Sequence, residues 1–282
     1  MHFVKPGVLL GMMFSVSLMA AEGCSDMGKN TTYIQADADT LWGAEQLFNT
    51  LLRRPLVDDW QDSLVASGLR HCEDTPSLEI RLDGAQHAWG YYRIAPDSRS
   101  NLLIQAPHQF YDSDTGEIAR KLFEEHDFVA LALNSSNRNS DSNVHIADLA
   151  HLPRSHFTAL ARGAVLANPD VVVLQIHGFA QSKRKPGNQH IDLIFSNGTA
   201  RSSESLHQLG DCAKSSLGLA TAVYPDQIDE LGATTNTVGK AMRALNSRGF
   251  LHLEVSRSAR HLLRDDAAAR AKLYGCLSSY AR

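Results

Sequence analysis

The sequence predicts an α/β protein built on a mainly parallel sheet. Short apolar runs alternate with segments of helical periodicity from about residue 100 to the end of the chain, which is the grammar of strand–helix–strand units. The run Val171–Ile176 is apolar at every position but Gln175, as expected of a strand covered on both faces. Three runs end on chemistry. Leu102–Ala106 leads through Pro107 to His108, Val171–Ile176 leads to His177-Gly178, and Phe250–Leu253 leads to Glu254. In open α/β sheets the carboxyl ends of the strands are where ligands bind.

Taken in order, the elements support that reading. Leu41 to Leu69 carries Leu41, Leu47, Leu51, Leu52, Leu56 and Leu64 at helical spacing, and Pro55 splits the stretch. It is expected to form a helical preamble, within residues 24–75, that packs on the sheet. Leu78, Ile80 and Leu82 alternate as in a half-buried strand. A second strand spans Ala88 to Ile94, and Asp83-Gly84 between them suits an edge hairpin. Then come a strand at Leu102–Ala106, a helix at Thr115–His126, a strand at Phe128–Leu133 and a helix at Ser155–Ala167. Asn168-Pro169-Asp170 stops that helix, and the strand Val171–Ile176 follows. Further on, strands are expected at Gln189–Ser196, Leu217–Tyr224 (strand or loop) and Phe250–Val255. Helices are expected at Ser203–Ser215, Thr234–Ser247 and Ser258–Ser279. No repeat, low-complexity run or linker divides the chain, so residues 24–282 are read as one domain.

The amino terminus reads as a targeting signal. His2 and Lys5 precede the apolar run Val8–Ala21, and small residues follow it. That run is shorter than the roughly 20 residues that cross a bilayer, and it has the form of a secretory signal peptide over residues 1–23. Ala21-Glu22-Gly23-Cys24 also admits a lipid anchor at Cys24, but Glu22 is unusual in such a motif and favours soluble export. The expected location is periplasmic or secreted, without a membrane span. Export permits disulfides. Cys24, Cys72, Cys212 and Cys276 allow three pairings. One of them, Cys212–Cys276, would tie a late helix to the carboxyl-terminal helix and leave Cys24–Cys72 to hold the amino-terminal segment. The net charge of -4, with 27 scattered Lys and Arg, argues against nucleic acid as a partner.

A catalytic zinc takes three protein ligands and keeps a position for water. His108 and His177 are the best nitrogen ligands. The third ligand is expected among the carboxylates that follow His108, with Asp112 preferred and Glu117 second. Glu117 stands in the first turn of a helix, where a carboxylate also suits the helix dipole. A carboxylate at Glu254, ending an apolar strand, is costly unless it is paired or used. Its two readings are a general base and an ion pair with Arg257 or Arg260. Arg138, after the strand that ends at Leu133, stands where it can hold a substrate carboxylate. Asp148 or His151 in the next loop would line the pocket or orient a ligand histidine. Lys183-Arg184-Lys185 reads as a solvated loop or the rim of a pocket for an acidic substrate.

This order of motifs, with Pro107-His108, a nearby carboxylate, His177-Gly178 and then Leu253-Glu254-Val255-Ser256-Arg257, resembles the zinc amidohydrolase and metallocarboxypeptidase group. That group includes N-formylglutamate amidohydrolases and zinc N-acetylmuramoyl-L-alanine amidases. The tail around Glu254 is most similar to the N-formylglutamate amidohydrolases. The resemblance covers about Leu102 to Asp266. It implies a mixed sheet with helices on both faces, one zinc held by two histidines and a carboxylate, and a glutamate as base. Those roles fall on His108, His177 and Glu254. Carboxypeptidases carry a glutamate three positions after the first histidine, and here that position is Tyr111. The expected activity is hydrolysis of an amide or peptide bond in a small-molecule, peptide or peptidoglycan-fragment substrate. The competing reading is a non-catalytic exported binding or scaffold protein with the same fold. A serine hydrolase lacks its Gly-x-Ser-x-Gly elbow here, and nucleotide-binding glycine motifs are missing too.

Overall fold

The structure is a computed structural model, and it describes residue 24 and residues 32–54, 56, 60–72, 79–140 and 147–282. The expected signal peptide, Pro55 and Leu78 lie outside the described residues. The helical preamble is two helices, α1 (Ala38–Leu52) and α2 (Trp60–Ser67). Asp37 starts α1 by accepting a hydrogen bond from the Thr40 N–H.

Among the described residues, nine strands form one sheet. In chain order they are β1 (Arg70–His71), β2 (Ile80–Asp83), β3 (Tyr91–Ile94), β4 (Leu102–Ala106), β5 (Ala130–Leu133), β6 (Val172–Phe179), β7 (Leu193–Ser196), β8 (Thr221–Val223) and β9 (Phe250–Ser256). Their order across the sheet is β1-β2-β3-β5-β4-β6-β9-β7-β8. The core strands β5, β4, β6 and β9 are mutually parallel. The antiparallel strands β1, β2 and β3 extend one side. On the other, β7 runs antiparallel to β9 and pairs in parallel with β8. The sheet is therefore mixed with a parallel core. The β2–β3 hairpin forms as expected, but it is not the edge, because β1 pairs outside β2.

The remaining helices are α3 (Thr115–Glu125), α4 (His156–Ala167), α5 (Glu204–Leu217), α6 (Thr237–Ala244), α7 (Arg257–Asp265) and α8 (Ala267–Tyr280). The single long helix expected at the carboxyl end is two. Asp266 breaks it, because its side chain caps α8 by accepting from the Ala268 and Ala269 N–H groups. One face of the sheet packs on α1, α4 and α6 through Leu47, Phe48, Phe157, Leu160 and Val238. The other packs on α3, α5, α7 and α8 through Ile118, Leu122, Leu206, Leu263 and Leu273. Each such buried side chain contributes about 1.5–3 kcal/mol relative to exposure. Disulfides join Cys24 to Cys72 and Cys212 to Cys276. The second ties α5 to α8.

Strand alternation sorts the core. In β4, β6 and β9, residues Leu102, Ile104, Leu174, Ile176, Leu251 and Leu253 all face the α3/α5/α7/α8 side. The alternate positions begin apolar at Leu103, Val173 and Phe250. Toward the carboxyl ends the same face turns polar, with Gln105, Gln175, His177, His252 and Glu254, all buried. One face of the sheet is thus a plain core, and the other becomes a site.

Candidate metal centre and active site

His108 leaves β4 through Pro107 and opens a tight turn, in which the N–H groups of Tyr111 and Asp112 both donate to the His108 carbonyl at 2.8 Å. The turn folds Asp112 back onto the histidine four residues before it. His177 lies within β6 beside Glu254 of β9, its register partner. The three side chains converge. His108 Nδ1 and His177 Nδ1 are 3.1 Å apart, and each is 3.5 Å from Asp112 Oδ2.

Neighbouring groups set which ring nitrogens point inward. Asp148 Oδ1 lies 2.7 Å from His108 Nε2. Bonds from His108 and His151, with the charge of Arg138, hold the Asp148 carboxyl far below the ordinary range despite its burial. An ionised carboxylate only accepts, so His108 Nε2 carries a proton and Nδ1 turns inward. For His177, Nε2 lies 3.5 Å from Gln175 Oε1. Gln175 is fixed in turn, since its Nε2 donates to Gln105 Oε1 at 2.8 Å and its Oε1 accepts from Asn236 Nδ2 at 2.6 Å. Gln105 Nε2 donates to the Phe157 carbonyl. A buried amide ladder thus runs beneath the site and turns His177 Nδ1 toward His108.

The donor set fits a divalent metal ion. Its triangle has edges of 3.1, 3.5 and 3.5 Å. A tetrahedral zinc with nitrogen and oxygen bonds near 2.05 Å needs ligand–ligand edges of about 3.3 Å. The charge fits as well. Asp112 is buried, yet its bonds to His108 and His177 hold it ionised far below the usual carboxylate range. Burial pushes His177 down to about 4. His108 is also opposed by burial, but its bonds to Asp112 and Asp148 carry it upward. The two ring nitrogens and the carboxylate oxygen face one another, and a dication would satisfy all three together.

Two other groups of donors lie close by, His108/Asp148/His151 and His177/His252/Glu254. Asp148 is already engaged by His108, His151 and Arg138. Glu254 is pushed up to about 8, first by burial and then by the charge of Asp112. Asp112, by contrast, is held ionised, which leaves His108/Asp112/His177 the most favourable set for a cation.

Glu254 Oε2 is buried and has no hydrogen-bond partner. Its Oε1 lies 3.6 Å from His252 Nε2. The alternative ion pair with Arg257 or Arg260 does not form among the described residues. Arg260 Nη1 donates to the Val255 and Phe179 carbonyls instead, and Ser256 caps α7. Gly178 makes room for that guanidinium, because a Cβ there would stand 2.3 Å from Arg260 Nη1.

A cavity of about 560 Å³ opens over these groups, lined by His108, Asp112, His177, Glu254 and the cations Arg138, Lys183, Arg184, Arg257 and Arg260. Arg138 donates to Asp148 Oδ2 and, at 3.1 Å, to His108 Nδ1, with its guanidinium 5.3 Å from the centre of the Tyr111 ring. It is engaged with His108 and Asp148 rather than free in the cavity. Arg257 is exposed and makes no hydrogen bond or ion pair among the described residues. The structure does not bring Glu117 to the site. Its carboxylate, half exposed, pairs with Lys121 at 2.8 Å on the surface of α3. Sequence reasoning missed Gln105, Gln175 and Asn236, although the two glutamines interrupt otherwise apolar strands. Ser202, His207 and Asp226 also meet, but Ser202 Oγ and Asp226 both address His207 Nε2. A catalytic triad needs them on opposite ring nitrogens.

No protein-family model matches the chain, and no curated protein does. Among solved structures it is similar to N-formylglutamate amidohydrolase from Ralstonia eutropha JMP134, at 16% identity over 69% of this chain and 96% of that one, with a TM-score of 0.39. It is also similar to a metallo-carboxypeptidase from Burkholderia cenocepacia, at 14% identity over 81% of this chain and 71% of that one, with a TM-score of 0.41.

Proposed function

We propose that the protein is an exported zinc-dependent hydrolase of an amide or peptide bond in a substrate that carries a carboxylate, of the N-acyl amino acid or peptidoglycan-fragment type. The observation that carries this reading is the convergence of His108 Nδ1, His177 Nδ1 and Asp112 Oδ2 in a cavity that also holds the unpartnered carboxyl of Glu254. His108, Asp112 and His177 hold the metal. When bound, zinc supplies Lewis acidity for the carbonyl and acidifies water. Glu254 accepts the proton of the attacking water and returns it to the leaving nitrogen. Its burial and the absence of a fixed partner on Oε2 among the described residues leave it free to gain and lose that proton. Asp148 and Gln175 keep the two imidazoles turned inward, and Arg138 holds Asp148 in place. Arg257, exposed on the cavity wall, supplies a guanidinium for the substrate carboxylate. The two disulfides suit an oxidising compartment.

The test is elemental analysis of the purified protein beside a His108→Ala, His177→Ala double variant, followed by a screen of N-acyl amino acids and peptidoglycan fragments. Near-stoichiometric zinc in the wild type, lost in the variant together with turnover, is the expected result. A wild type that takes up no metal on incubation with zinc would overturn the assignment and leave the binding-protein reading.

A further inference from the structure

A second cavity, of about 590 Å³, lies at the other end of β9. Phe250, the first residue of β9, lines it. Glu254 stands four residues farther along the strand, roughly 13 Å away at the usual strand rise. The walls come from three places: the 197–205 segment that leads from β7 into α5, the end of α6 with the turn after it, and Tyr280 at the end of α8.

Its charge sets it apart. Arg201, Arg243 and Arg248 line it, and no Asp or Glu does. Arg70, Arg81, Arg93, Arg138, Arg162, Arg184, Arg264 and Arg270 sit in ion pairs with carboxylates, whereas none of the three that line this cavity does so among the described residues. Arg201 and Arg248 are exposed, and their side chains make no hydrogen bond or ion pair among the described residues. Arg243 is half-buried, and its guanidinium makes one long bond, 3.5 Å to the Asn197 carbonyl. Burial lowers its pKa, with no neighbouring carboxylate to offset the effect. The Tyr280 hydroxyl is half-buried and has no partner among the described residues. Two acids beside the lining residues are engaged. Asp226 is held by Ser202 and His207, and Glu204 accepts from Gln208 on the exposed side of α5. In a chain of net charge -4, three clustered cations without a carboxylate among them repel one another, and an anion that enters relieves that repulsion.

We propose that this cavity binds a multivalent phosphate-type oxyanion, such as a diphosphate or a phosphodiester group, at a site separate from the catalytic one. The guanidinium fork matches paired phosphate oxygens. Three forks around one cleft favour a polyvalent anion over a single carboxylate, and the Tyr280 hydroxyl adds a neutral donor. The volume admits two phosphate groups with their water.

The experiment is calorimetric titration of the full chain, stripped of metal by a chelator, with pyrophosphate at constant ionic strength. One saturable site per chain is expected. Affinity should fall at least tenfold in an Arg201→Ala, Arg248→Ala double variant, and it should be unchanged in His108→Ala, which separates this cavity from the metal centre. Both arginines are exposed, so the variant should keep the wild-type melting temperature. If it does not, Arg201→Lys, Arg248→Lys retains the charge without the fork and should bind with intermediate affinity. Heat that does not saturate, or equal affinity in wild type and both double variants, would overturn the proposal. Sedimentation with phosphatidylglycerol vesicles, against phosphatidylcholine alone, identifies the source of the phosphate. Retention lost in the double variant marks a lipid headgroup, and no retention beside calorimetric binding marks a soluble phosphate.

Discussion

Asp148, behind His108, and Glu254, beside His177, are two buried carboxylates, and they are opposites. Asp148 accepts from His108, His151 and Arg138 and is ionised far below the ordinary aspartate range. Glu254 lies in an apolar strand with one oxygen unpartnered and is pushed up to about 8. When neighbours drive two acids of one site apart, their roles separate as well. The saturated one fixes geometry, and the unsaturated one is free to carry a proton. Burial alone does not make this distinction, since both are buried. The number of hydrogen bonds each receives does.

The largest effect expected is on turnover. Glu254→Gln should lower it by about 10²–10⁴-fold, the range for loss of a general acid–base, while zinc content stays at the wild-type level. Full turnover in a zinc-loaded Glu254→Gln protein would remove the residue from the proton-transfer role. The same substitution should affect stability in the other direction. Glu254 is raised in the folded state, so its contribution is fully present below the ordinary glutamate value of 4.5 and is lost as pH rises to about 8. In metal-free protein that loss is on the order of 5 kcal/mol across the window. Glutamine does not titrate, so the difference between wild type and variant in urea unfolding should widen in the variant's favour from pH 5 to pH 8. A pH-independent difference would break the contrast with Asp148, which is depressed and loses its contribution only as pH falls below the ordinary aspartate value.

How much of this the sequence revealed follows from the range of the interactions. Strand runs and strand-end residues are local, so β4, β6 and β9 could be read from pattern, with His108, His177 and Glu254 picked out as candidates. Asp112 is the preferred carboxylate because it lies in the loop after His108, and it does fold back onto that histidine. Glu117 stands in the first turn of α3, where its side chain points to solvent and to Lys121. Arg138 lies on the expected edge, yet its guanidinium is taken by Asp148 and His108. The amide ladder was not legible, because Gln105, Gln175 and Asn236 meet only after β4, β6 and the start of α6 are packed. Its one local signal was a glutamine inside each of two apolar strands. The break in the last helix was similarly hidden, since Asp266 in a run of helix formers becomes a cap only once α8 turns away from α7.

His156 sharpens the comparison from outside the site. It is buried against Trp89, with ring centres 4.6 Å apart, and its Nε2 faces the Ser67 carbonyl at 3.0 Å. Burial pushes it down to about 4, the same value as His177. A shared shift therefore does not mean a shared role, because no ligand atom converges on His156. Its effect should appear in stability alone. The folded protein keeps His156 neutral, so its contribution is present above the ordinary histidine value of 6.5 and is lost as pH falls to about 4. That amounts to about 3 kcal/mol. His156→Phe should remove this part of the acid limb while zinc binding and turnover at pH 7.5 are retained. Urea unfolding at pH 7 and pH 4.5 checks it, and an unchanged acid limb would show that His156 does not titrate with folding.

The smallest effect is expected at the saturated carboxylate. Asp148→Asn keeps the size of the side chain and one acceptor oxygen, but removes the charge that fixes the His108 proton on Nε2 and holds Arg138. Carboxylates behind ligand histidines typically change metal affinity by 10–100-fold, so zinc competition against a chromophoric chelator should show a loss in that range. Turnover at saturating zinc should fall far less than in Glu254→Gln. This is the decisive half of the comparison. If Asp148 only orients, added zinc restores most of the activity, and if it handles the proton, no amount of zinc does. Recovery of Asp148→Asn by zinc, beside a Glu254→Gln protein that zinc does not rescue, would separate orientation from proton transfer at two buried carboxylates.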